Sequence, residues 1–160
     1  MIASFEATVQ YAQINIFRPQ EPDTNLWSDE HVAQGFAWRE GSVSFGVPDH
    51  DGPVWIEVER KDAADPLSGD TMRAIEVPFT VYSDGVVYAS LIDDLAIPVP
   101  FGAYRLRFEI RPGFTHDETD FALLIVLTFI PDATPDFAIL RGDTEVTAQH
   151  VLLKTATPAR

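Results

Sequence analysis

Apolar and polar residues alternate with a period of two through most of this 160-residue chain. This period is typical of β-strands that have one buried and one exposed face. It predicts strands at Phe5–Ile16, Ser42–Phe45, Val54–Arg60, Arg73–Tyr82, Val86–Ile92, Tyr104–Arg111 and Phe121–Ile130. The first is predicted as one long strand with a bulge where the apolar parity switches. A further short strand is predicted at Phe137–Leu140.

Two of these strands are predicted to form a hairpin. Arg73–Tyr82 and Val86–Ile92 are joined through Asp84-Gly85, a pair that suits a tight turn with positive φ. Pro78 lies inside the first strand and cannot donate a backbone hydrogen bond to a neighbour. It therefore predicts an edge position or a bulge at that point.

Short strands, turns rich in proline and glycine, and almost no helix predict an antiparallel β-sandwich. Phe121–Ile130 is apolar on both faces, which indicates a central strand. The spacing of Pro100, Gly102 and Tyr104 is typical of the tyrosine corner of sandwiches, in which the phenol hydroxyl binds backbone upstream. We predict a single domain over residues 1–154 and a disordered tail at residues 155–160.

One short helix is predicted over residues 29–35. Ser28 is a suitable N-cap, and Asp29 and Glu30 place negative charge in the first turn, where it complements the helix dipole. Gly35 is well placed to end the helix in the left-handed conformation.

Charge and composition exclude several classes of protein. With 11 Lys and Arg against 25 Asp and Glu, the net charge is −14, which opposes direct binding to nucleic acid or to an anionic membrane. The absence of cysteine excludes disulfides and thiolate chemistry. The longest apolar run, Phe121–Ile130, has ten residues, whereas a membrane helix needs about 20, so no membrane insertion is expected. The first ten residues contain Glu6 and no Lys or Arg, unlike a secretory signal, so we expect a cytoplasmic protein.

Neither a metal site nor a catalytic site is predicted. The loops at Pro48–Gly52 and His116–Asp120 each combine a histidine with carboxylates, but neither spacing matches a known metal loop. His31 and His150 have no partner visible by spacing, and neither a G-x-S-x-G motif nor a glycine-rich phosphate loop is present. We therefore expect no metal, no cofactor and no enzymatic activity.

Tryptophan and acidic residues are concentrated within fourteen residues of the chain: Trp27, Asp29, Glu30, Trp38 and Glu40. One interpretation is an interaction surface of aromatic anchors beside charge. The other is structural: Trp27 would staple the helix by packing on Val32, and Trp38 would enter the core. The acidic excess is larger than solubility requires, which favours a basic protein as partner.

The segment LWSDEHVAQGFA at residues 26–37, followed by EGSVSF at residues 40–45, resembles the competence protein J family. That family inhibits the DNA-entry nuclease of bacterial competence. The segment VPFTV at residues 77–81 and the Pro100-x-Gly102-x-Tyr104 pattern also resemble it, and the order agrees over about residues 5–130. The chain after Ile130 has no counterpart in the pattern.

The resemblance implies an inhibitor of a nuclease, which either serves competence or is a toxin. The acidic charge favours binding to the basic or metal-containing cleft of that nuclease. In such a cleft, carboxylates can stand in for DNA phosphates or approach the catalytic ion. Trp27, Asp29, Glu30, Trp38 and Glu40 are the candidate contacts. The alternative is a ligand-binding or calcium-binding β-sandwich module without enzymatic activity.

Overall fold

Eleven strands and one helix form within the residues that the computed structural model describes, which are 1–9, 11–22, 24–50, 52–90, 94–147 and 151–159. Their bounds are β1 Ala3–Ala7, β2 Gln13–Phe17, α1 Asp29–Gln34, β3 Phe36–Arg39, β4 Ser42–Gly46, β5 Val54–Arg60, β6 Arg73–Val81, β7 Val86–Ser90, β8 Asp94–Pro98, β9 Gly102–His116, β10 Thr119–Pro131 and β11 Ala138–Arg141.

The strands form two sheets that pack face to face, which confirms the predicted sandwich. One sheet has six strands in the order β1-β5-β10-β9-β6-β11, and the other has five in the order β3-β4-β2-β7-β8. Neighbouring strands run antiparallel except for β5 and β10, which are parallel. The core lies between the sheets, where the rings of Phe45 on β4 and Phe108 on β9 stack with centroids 4.4 Å apart.

The single long strand predicted at Phe5–Ile16 is wrong. The chain forms β1 in the six-stranded sheet and β2 in the five-stranded sheet instead. The break lies at Tyr11 and Ala12, whose φ angles of 55° and 54° are left-handed and incompatible with an extended strand. The switch in apolar parity therefore marks a crossing between the sheets, not a bulge.

The predicted hairpin between Arg73–Tyr82 and Val86–Ile92 is also wrong in its pairing. The turn exists, with Gly85 at φ 66° and its amide donating to the Tyr82 carbonyl at 2.9 Å. However, β6 pairs with β9 and β11, whereas β7 pairs with β2 and β8. Both strands bury apolar side chains, so each contributes to the core from its own sheet. The predicted strand end at residues 91–92 lies outside the described residues.

Four other expectations are confirmed. Strand β10 is central, between β5 and β9. Strand β11 pairs with β6 only as far as Glu76, which leaves a local edge at Pro78. The tyrosine corner is formed, because the Tyr104 hydroxyl donates to the Pro100 carbonyl at 2.6 Å. The predicted short strand at 137–140 is β11.

Strands β3 and β8 were not predicted from the sequence. Both lie at the edges of the five-stranded sheet, and each pairs with one neighbour. An edge strand needs less apolar periodicity than a central one, because one of its sides is open.

The predicted tail at residues 155–160 lies, where it is described, against the segment before α1. The Leu26 amide donates to the Thr157 carbonyl at 2.8 Å, and the Ala159 amide donates to the Thr24 carbonyl at 3.1 Å. The single domain over residues 1–154 and the disordered tail at residues 155–160 both stay predictions.

Candidate partner-binding surface

Helix α1 begins with a capping box centred on a histidine. The Ser28 hydroxyl accepts from the His31 amide at 3.3 Å, and the His31 Nδ1 accepts from the Ser28 amide at 3.0 Å. The other ring nitrogen, Nε2, lies 3.1 Å from the carbonyl oxygen of Thr155. Because a carbonyl oxygen only accepts, Nε2 carries the proton and Nδ1 is the acceptor. His31, for which the sequence shows no partner, thus joins the helix start to the C-terminal segment. His150 lies outside the described residues.

The end of α1 is fixed by Gly35, as predicted. Its φ of 83° is left-handed, and its amide donates to the carbonyls of His31 and Val32. A Cβ at this position would lie 2.8 Å from the Val146 side chain, so the helix end packs closely on the C-terminal segment. Helix position and direction are therefore set at both ends.

Asp29 and Glu30 are exposed in the first turn of this helix. Trp27 precedes them and is half-buried, and its indole nitrogen donates to Gln13 Oε1 at 2.8 Å. The rings of Trp27 and His31 meet edge to face, with centroids 6.4 Å apart. Trp27, Asp29 and Glu30 therefore lie next to one another at the start of α1, and their role as partner contacts stays a prediction.

A groove of about 360 Å³ opens beside this helix. Trp27 and Val32 line it from the helix side, and Tyr11 lines it from the turn between β1 and β2. The lining is mostly apolar, although Arg73 and Glu145 also reach it. Sequence reasoning missed Tyr11 as a surface residue, because its place in the alternation assigned it to a strand.

Trp38 and Glu40 belong to another part of the molecule. The Trp38 indole nitrogen donates to the Pro78 carbonyl at 2.7 Å, and its ring meets Phe137 edge to face, with centroids 5.0 Å apart. Glu40 accepts from the buried Arg18 at 2.8 Å. The structure therefore does not bring these two residues together with the acidic turn of α1.

Arg18 explains the position of Glu40. The Arg18 guanidinium lies over the Tyr82 ring, 3.8 Å from its centroid, and is buried. Glu40, with 61% of its side chain exposed, supplies the counter-charge at the mouth of this site. Its carboxylate thus has a structural partner as well as a solvent-facing side.

The two histidine-containing loops have local contacts. The His116 ring stacks on Trp55 with centroids 4.1 Å apart, and its Nε2 lies 3.3 Å from Asp117. His50 Nδ1 lies 3.0 Å from the Pro48 carbonyl. Within the part of the chain that the structure describes, no three His, Asp or Glu residues are grouped to hold a metal ion. In the same part of the chain, no helix is long and apolar enough to cross a membrane.

Comparison with known proteins identifies the family of this chain. The family model for competence protein J (ComJ) matches residues 6–130. A crystal structure of ComJ from Bacillus subtilis, described as an inhibitor of the DNA-degrading activity of NucA, is similar in fold, with a TM-score of 0.62 and 21% identity. The similarity covers 80% of this chain and 96% of that one. No curated protein sequence matches the chain. Because the family model covers most of its length, this chain belongs to the competence protein J family.

Proposed function

We propose that this protein inhibits a DNA nuclease by binding to it directly, without enzymatic turnover. Membership in the competence protein J family is the observation that carries the proposal. The Bacillus subtilis relative, described as an inhibitor of NucA, supports it.

The charge of the chain suits this mode of action. A nuclease binds a polyanion and therefore presents a basic cleft. A protein of net charge −14 is attracted to that cleft and is repelled by DNA. Electrostatic attraction of this kind mainly raises the association rate, and it weakens with salt.

We propose the first turn of α1 as the part that meets the basic cleft. Asp29 and Glu30 are exposed there, and the hydrogen bonds at both ends of the helix fix their direction. Trp27 supplies an adjacent half-buried aromatic ring. Trp38 and Glu40 are secondary candidates, since the Trp38 indole N–H binds Pro78 and the Glu40 carboxylate binds Arg18.

We further propose that the protein acts in the cytoplasm, as the cysteine-free composition indicates. There it would meet a nuclease of the same cell before that nuclease is exported, or a nuclease toxin after it has entered the cell. The partner is proposed to be basic on the grounds of charge complementarity alone.

A DNA protection assay tests the function. Purified protein is mixed with NucA of Bacillus subtilis, or with a nuclease encoded next to the gene, and supercoiled plasmid is added. We expect stoichiometric protection of the plasmid from at least one of these enzymes. Boiled protein and an unrelated protein of similar charge serve as controls for non-specific sequestration of metal ions. If both nucleases digest the plasmid at full rate in a molar excess of the protein, the proposal is wrong.

A further inference from the structure

In the turn between β1 and β2, a large aromatic side chain is exposed to solvent, and the backbone that carries it is strained. Tyr11 and Ala12 both have left-handed φ angles, a conformation that non-glycine residues rarely adopt. The turn is maintained by the pairing of β2 with β4 and by the Val47 amide, which donates to the Ala12 carbonyl at 2.8 Å. Tyr11 is 92% exposed, so burial of its ring does not compensate for the strain. For stability alone, glycine would be the better residue at this position.

Tyr11 lines the groove together with Trp27 and Val32. The hydrogen bond from Trp27 to Gln13 ties the helix side of the groove to the strained turn. The Trp27 ring also lies beside Gly46 on β4, where a Cβ would make an ordinary contact with it at 3.7 Å. Val32 is 56% exposed, which leaves an apolar surface open to solvent.

Carboxylates border this apolar groove. Glu145 lines it with 57% of its side chain exposed, and Asp29 lies three residues before Val32, on the same side of the helix. Among the described residues that line the groove, Arg73 is the one cation; it is 2% exposed, and its guanidinium binds Asp143 and Glu145. The groove therefore combines aromatic faces and negative charge, and the positive charge of Arg73 is already paired.

From this combination we propose that the groove between Tyr11 and Trp27 receives a lysine or arginine side chain of the partner protein. The inference rests on the proposed function and names the surface that carries it. The aliphatic stem of the basic residue packs along Trp27 and Val32, and its cation meets the aromatic faces and the Glu145 carboxylate. Aromatic anchors in a desolvated centre, bordered by charge, are typical of the residues that dominate a protein interface.

Part of this groove comes from the segment outside the family match. Tyr11, Trp27, Val32 and Arg73 lie within residues 6–130, whereas Glu145 lies beyond them. The segment after residue 130 thus adds a counter-charge to a groove built by the family fold. We infer that this added carboxylate contributes to the choice of partner.

Four variants test the proposal against the nuclease that the wild-type protein inhibits. Tyr11→Gly removes the ring and relieves the strain, so its melting temperature is expected to be equal or higher. Tyr11→Phe keeps the ring. Glu145→Gln removes the charge but keeps an acceptor for Arg73, and Asp62→Asn makes the same charge change on a distant exposed loop. Dissociation constants are measured by surface plasmon resonance.

We expect Tyr11→Gly to weaken binding at least about 30-fold and Glu145→Gln about tenfold, with Tyr11→Phe and Asp62→Asn near wild type. If Tyr11→Gly weakens binding while Glu145→Gln does not, the groove takes an apolar residue, and the proposed basic residue is wrong. If both bind as wild type, the surface lies elsewhere and the proposed function still stands. Wild-type protein that binds neither nuclease overturns both.

Discussion

Arg73 and Asp143 form a two-point ion pair that joins strand β6 to the C-terminal segment. Arg73 Nε lies 2.8 Å from Asp143 Oδ2, and Nη2 lies 3.1 Å from Oδ1. The third nitrogen, Nη1, donates to the Gly46 carbonyl of β4 at 2.7 Å. One buried guanidinium therefore connects both sheets with residues beyond the family match, at the base of the groove.

This ion pair predicts an acid-sensitive contribution to stability. Burial by itself would raise the pKa of Asp143, but hydrogen bonds from Arg73 and from the backbone amides of Val146 and Glu145 lower it below the ordinary value. A lowered pKa stabilises the fold above the unfolded-state pKa of about 4, and this stability is lost as the pH falls through the folded-state value. Asp143→Asn should lower the free energy of unfolding at pH 7 by about 1.5–3 kcal/mol.

Urea unfolding at several pH values measures this effect. The difference between wild type and Asp143→Asn should shrink as the pH is lowered from 6 to about 3. Asp136→Asn, at a carboxylate with 82% exposure, is the matched control and should stay near wild type throughout. A difference that is constant with pH would show that the ion pair does not stabilise the fold through ionisation.

The tyrosine corner predicts a stability loss from the removal of one oxygen atom. In Tyr104→Phe, the Pro100 carbonyl loses its donor, while the ring stays packed against Phe129. We expect the free energy of unfolding to fall by about 0.5–1.5 kcal/mol, measured by chemical denaturation. Tyr82→Phe, which keeps the ring beneath Arg18, should change stability by less than about 0.5 kcal/mol. Equal losses in both variants would contradict the role assigned to the corner.

The acidic turn of α1 predicts a charge-dependent inhibition. Reversing both charges, with Asp29→Lys and Glu30→Lys, should weaken nuclease inhibition at least about tenfold, mainly through slower association. Loss of favourable dipole interactions should cost about 0.3–1 kcal/mol per residue, so the fold survives. The matched control, Asp62→Lys with Asp70→Lys, changes the net charge equally on a distant loop. Stopped-flow association rates, measured at low and high salt, separate the two variants. Equal rates would indicate that net charge acts alone, without a specific surface.

Trp38 is predicted to act mainly in the fold. Trp38→Phe leaves the Pro78 carbonyl without its donor and reduces the area of ring contact with Phe137. The free energy of unfolding should fall by about 1–2 kcal/mol, which lowers the melting temperature. The inhibition constant of the folded protein should stay unchanged. Unchanged stability with weaker inhibition would instead place Trp38 at the interface.

Much of the candidate surface could be predicted from the sequence because its signals are local. A helix cap depends on residues only a few positions apart, so Ser28 and Gly35 set the limits of α1 without reference to the rest of the chain. The exposure of Asp29 and Glu30 follows from their place in the first turn. The tyrosine corner was predictable for the same reason, since Tyr104 binds a carbonyl four residues away.

Tertiary structure alone decided which strands pair and what surrounds the helix. An alternating pattern predicts that a strand has one buried face, but both sheets of a sandwich bury the same kind of face. The sequence therefore determined that Arg73–Val81 and Val86–Ser90 are strands, while the packing of the two sheets placed them in different ones. The exposure of Tyr11, the ion pair of Arg73 and the contact of His31 with Thr155 depend on residues far apart in the chain, which only the folded core brings together.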